Sequence, residues 1–151
     1  MSFAKFEESR AGNCAAFAMR ERAMITEIWA SFRRLPLWVQ IWVGVILMPV
    51  NLLPLAFLGQ PGGVTIAVLA IGGMVLNLPI LLFERGFSKA MAFPHILLWT
   101  PLLGVISGQL QGGVSGGYLQ VLLLLLAVDL ISLLFDYVDA IKWWQGERDV
   151  A

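Results

Sequence analysis

The chain has 151 residues, 59% hydrophobic and 13% charged, with ten basic and ten acidic side chains and no net charge. Soluble domains carry about 25% charged residues, so this composition assigns the protein to a membrane, and a zero balance offers no footprint for nucleic acid or an acidic substrate. A lone cysteine, Cys14, excludes an internal disulfide and a thiol redox pair.

The first 34 residues are expected to form a cytoplasmic segment. Its first apolar run starts only after residue 34 and has no small-residue cleavage pattern, so it does not read as a signal peptide. Phe17, Met24, Ile25, Ile28, Phe32 and Leu35 recur at helical spacing, with Arg20, Glu27, Ser31 and Arg34 on another face. This pattern predicts an amphipathic helix on the membrane surface, anchored by Arg20, Arg33, Arg34, Trp29 and Trp38, or docked on a partner.

Residues 35–145 are expected to hold four transmembrane helices, with 146–151 as a cytoplasmic tail. The apolar segments are Leu35 to Leu58, Val64 to Phe83, Pro94 to about Gln111, and Tyr118 to about Ala140. Each approaches the roughly 20 residues a helix needs to cross the hydrocarbon layer. The third is short, contains Pro101 and ends in a polar sequence, so a re-entrant or tilted segment is its alternative. All ten basic residues precede span one, lie between spans two and three, or follow span four. Basic loops stay cytoplasmic, so the all-α fold is expected to have both termini inside, in the inner (plasma) membrane. The six tryptophans map to that same half.

Asp129 is the one acid near mid-membrane, about 16 Å from the Tyr118 end of its helix. An ionised carboxylate there costs roughly 2.5–3.5 kcal/mol, so it should face a bundle interior, a cavity or a partner. Asp129, Ser132, Asp136 and Asp139 form one stripe on span four. On span two, Ala70, Gly73, Asn77 and Glu84 form another, and Asn77 comes to a similar depth, about 19 Å. The sequence therefore predicts a bond between Asn77 and a neutral Asp129, with the acid donating to the amide oxygen. Asn51 and Thr100 complete the set of intramembrane polar side chains. Nearer the cytoplasmic face, Glu84, Arg85, Lys89, Asp136 and Asp139 are expected in ion pairs, with His95 and Lys142 as further partners. His95 itself reads as an interfacial histidine at a helix start.

No group of Cys, His, Asp or Glu has metal-ligand spacing, no nucleophile stands beside a plausible base, and no cofactor is implied. Paired proline-broken segments, around Pro49 and Pro54 and around Pro79, read as kinks. In length, span number and topology the chain is similar to small four-span groups such as the small permease subunits of tripartite transporters. The expected function is that of a non-catalytic accessory subunit among other integral membrane subunits, acting through helix packing. The alternative is a small proton- or cation-coupled transporter or channel in which Asp129 binds the ion.

Overall fold

The computed structural model describes residues 3–151, with side chains from residue 16 onward; the side chains of Lys5, Arg10 and Cys14 lie outside the described residues. Four helices are long and apolar enough to cross a membrane: Leu37–Phe57, Gly63–Glu84, Lys89–Gln111 and Gly116–Trp144. A 32-residue helix, Phe3–Arg34, precedes them.

Proline chemistry shapes the spans. Pro49 has no N–H to give to Val45, and the turns just before it widen into a π-helix over Trp42–Leu47. Pro54 likewise leaves the Val50 carbonyl without its usual donor, and Leu53–Phe57 tightens to a 3₁₀ helix. In span two the α-helix Gly63–Val75 is interrupted at Leu76, three residues before Pro79, and resumes over Asn77–Glu84; Pro79 has no N–H to give to the Val75 carbonyl. Span three behaves differently. A 3₁₀ turn at Lys89–Met91 leads into one helix, Ala92–Gln111, that runs through Pro101 without a break. Span three is therefore a continuous helix of spanning length and not a re-entrant segment.

Span three packs between spans two and four, and span one closes the bundle against both. Ile66, Leu102, Ile106, Leu122 and Leu125 are fully buried and form an apolar core. Beyond it, the Tyr118 hydroxyl donates to the Pro61 carbonyl at 2.9 Å, and its ring stacks on Phe57. These contacts tie the two glycine-rich turns at one end of the bundle.

The other end gathers the basic residues. Arg85 meets Glu27 at 3.4 Å and Lys89 meets Glu147 at 2.7 Å. Ser88 pairs with Val150 in an isolated antiparallel bridge, the Ala151 amide donates to the Phe87 carbonyl, and Arg34 donates to the Ala151 carbonyl at 3.0 Å. The leading helix, the turn after span two and the tail are thus joined by short polar contacts.

Ser31 was expected on the polar outward face of the leading helix. It is instead fully buried, and its hydroxyl accepts the Phe87 amide at 2.8 Å. Phe32 packs against the Phe87 ring beside it, tilted at 44°, so the helix face is set by the docked turn and not by solvent. Gly86 makes this approach possible, because a Cβ there would lie 2.7 Å from the Ser31 hydroxyl oxygen. Ser31→Ala leaves a buried amide without an acceptor and is expected to cost about 1–2 kcal/mol. The readout is faster hydrogen exchange at Phe87 and earlier proteolysis of the leading helix, with the four spans unaffected.

Candidate polar site within the bundle

Span four presents its polar stripe as three rungs, two joined to span one and one to span three. The deepest is Asp129, fully buried, whose Oδ1 accepts from Asn51 Nδ2 at 2.9 Å. The same Nδ2 donates to the Leu47 carbonyl at 3.1 Å. A carbonyl can only accept, so the amide nitrogen must face both groups, and Asn51 is the donor. Asn51 Oδ1 and Asp129 Oδ2 have no hydrogen-bond partner among the described residues.

One turn nearer the basic end, Trp42 Nε1 donates to Ser132 Oγ at 3.1 Å. One turn further, the Asp136 carboxylate straddles His95 Nδ1, with its oxygens at 3.3 and 3.2 Å. The opposite ring nitrogen, Nε2, lies 2.7 Å from Asn77 Nδ2. An amide N–H donating to Nε2 leaves Nδ1 as the protonated nitrogen, pointing at the carboxylate. The imidazole also stacks on Trp99 at 3.9 Å and 7°, one helical turn along span three. Trp99 is fully buried, and its Nε1 donates to the Ala70 carbonyl at 3.1 Å.

Two expectations are corrected by this geometry. Asn77 does not meet Asp129: it meets His95, and Asp129 is held by Asn51 as acceptor, not donor. Counting α-helical rise places Asn51 about 9 Å below Phe57, but the 3₁₀ stretch rises about 2 Å per residue and takes it to about 11 Å. The stripe of Ala70, Gly73 and Asn77 does admit a close neighbour, but the neighbour is span three, through Trp99 and His95. His95, in the first turns of span three, turns its side chain inward. Its side chain is only 13% exposed and Asp136 only 17%, so the pair is largely inside the bundle.

The remaining candidates are dispersed. Thr100 Oγ1 lies 3.1 Å from the Tyr137 hydroxyl on the exposed side of spans three and four, away from the core. Of the ion-pair set, Arg85 and Lys89 pair with Glu27 and Glu147, which were not among the partners named from sequence. Glu84 Oε2 is buried with no partner, and Asp139 makes no ion pair among the described residues. Arg20, Arg33, Trp29 and Trp38 are exposed, and Arg34 holds the tail. Trp42, Trp99 and His95 carry the site and were missed or undervalued. The i, i+4 spacing of His95 and Trp99 was the available signal.

The Lys89 ammonium beside Glu147 holds that carboxyl below its ordinary value of 4.5. A carboxyl lowered on folding contributes stability above its unfolded value, and that contribution is lost as pH falls through the folded value. Acidification below about 4.5 should therefore loosen the tail from the Ser88 turn. Exchange at the Ala151 amide, followed against pH, is expected to rise in that range, and Glu147→Gln should remove the dependence.

Among the described residues no group of three or more His, Cys, Asp or Glu is placed to hold a metal ion. Two adjoining cavities, of about 450 and about 420 Å³, open beside the His95–Asp136 pair. Their walls do not reach past Ser132 to Asp129, and beyond Asp129 the apolar core of Leu122, Leu125 and Ile106 follows. No known family model matches the chain, and no curated protein or solved structure is significantly similar to it.

Proposed function

We propose that the chain is a non-catalytic subunit of a larger assembly in the inner (plasma) membrane, with both termini cytoplasmic, acting through helix packing. The observation that carries this reading is how the intramembrane polar groups are used. Asp129, Ser132, Asp136, Asn51, Asn77 and His95 are all bonded to another helix of the same chain, so they hold the bundle together. A packed apolar layer lies beyond Asp129, where an ion path would have to continue. What faces outward is apolar helix surface, together with a leading helix whose Phe17, Met19, Ile25 and Trp29 are exposed. That helix serves as an interfacial anchor, with Arg20 and Arg33 among the lipid headgroups.

Native mass spectrometry after gentle extraction is expected to find the chain in a stable hetero-complex. A chain that is only monomeric or self-associated would count against the proposal. Orientation is tested separately: in a Cys14→Ser background, Gln60→Cys should react with an impermeant maleimide in intact cells and Arg148→Cys should not.

The buried, unpartnered Oδ2 of Asp129 favours one second reading, a proton- or cation-coupled transporter that uses Asp129. Asp129→Asn should then abolish coupled flux in reconstituted vesicles, and unchanged flux removes that reading.

A further inference from the structure

The two cavities at the basic end share a wall of Val39, Val43, Leu47, His95, Asp136 and Asp139. Their volumes fall within the roughly 300–1,000 Å³ of sites that hold small molecules. Span one supplies an apolar side. The other side is polar, and its hydrogen-bonding capacity is one-sided.

Apart from Lys142 and the exposed Trp38 indole, the side-chain N–H donors along the wall are already engaged. His95 uses Nδ1 on Asp136 and faces Asn77 with Nε2, and Lys89 is bound to Glu147. The acceptors are not. Asp136 Oδ2 lies 3.2 Å from His95 Nδ1 but makes no hydrogen bond of its own, Ser88 Oγ is buried without a partner among the described residues, and the carboxylates of Asp139 and Asp149 line the same space. Lys142 is the one further cation, and it lies at the exposed side of the second cavity. An apolar wall facing a set of free acceptors selects a ligand with an apolar body and a positively charged, hydrogen-donating head.

We infer that this cavity binds an amphipathic primary amine, with the ammonium between Asp136 and Asp139 and the hydrocarbon along Val39, Val43 and Leu47. The site is independent of Asp129 and of whether the chain has a partner subunit. The same ammonium chemistry is carried by a free alkylamine and by an ethanolamine phospholipid headgroup.

The test uses the full chain in phosphatidylcholine nanodiscs, with decylamine as probe and empty nanodiscs as the blank. Decylamine is expected to bind saturably at one site, and decanoate and decanol are not. Asp136→Asn/Asp139→Asn should weaken decylamine binding at least tenfold. Val43→Trp should do the same by filling the volume without changing the charge, so a folding defect in one variant does not decide the outcome. Competition by added phosphatidylethanolamine assigns the site to the lipid headgroup, and lack of competition assigns it to the free amine; both support the inference. Equal binding of decanoate, no saturable signal above empty nanodiscs, or full binding in both variants overturns it.

Discussion

Asn51→Leu is expected to destabilise the bundle by about 2 kcal/mol, and adding Asp129→Leu to restore most of the loss. The asymmetry follows from burial. Asp129 is fully enclosed and its one hydrogen-bond partner among the described residues is the Asn51 amide. Removing that donor leaves a buried carboxyl with neither oxygen satisfied, which costs about 1–3 kcal/mol or more for a charged group. Removing both partners leaves leucines of similar size in an apolar layer, and such replacements are often close to neutral. The bond itself is worth less than the penalty for breaking it, since polar pairs between membrane helices average about 0.6 kcal/mol. Reversible unfolding in mixed micelles of the two single variants and the double variant checks this. A double variant as unstable as Asn51→Leu alone would mean that Asp129 contributes by position and not through Asn51.

The same pair shows how far the sequence could be read. That Asp129 is buried at depth and needs a polar partner follows from its isolation in a long apolar run, and the structure has it bonded inside the bundle. Which asparagine meets it does not follow, because both choices depend on where helices depart from α geometry. Pro49 and Pro54 announce such departures, but not whether the chain widens to π before one or tightens to 3₁₀ after the other. Span number and bounds come from hydropathy and are recovered to within a few residues at most ends. Span three starts earlier than its apolar run suggests, because Lys89–Met91 form a turn at its base. Ser31 illustrates a different limit. A serine on the polar side of a helix looks solvent-exposed until a loop 56 residues away supplies a buried amide. Long-range docking of that kind leaves no periodic trace.

Adjacent glycines in span two should respond oppositely to alanine. Gly72→Ala is expected to be neutral or to stabilise by up to about 1 kcal/mol, because alanine is the better helix former and the new methyl meets only the Cδ1 end of Leu98, 2.9 Å away. Such a side-chain end can turn aside. Gly73→Ala puts its methyl into the indole edge of Trp99, against Nε1 with Cδ1 and Cε2 also within 3.0 Å. Trp99 has nowhere to go: it is fully buried, bonded to the Ala70 carbonyl, and stacked face to face on His95. Overpacking at a fixed neighbour costs about 1–3 kcal/mol, which exceeds the gain in helix propensity. The displacement should pass from Trp99 to His95 and so to Asn77 and Asp136. Unfolding midpoints of the two variants should therefore move apart, and only Gly73→Ala should alter the His95 ring signals in a proton–nitrogen correlation spectrum. A Gly73→Ala protein with unchanged stability and unchanged imidazole resonances would show that span three can slide away from span two without cost, and that the Trp99 contact does not hold the His95–Asp136 pair in place.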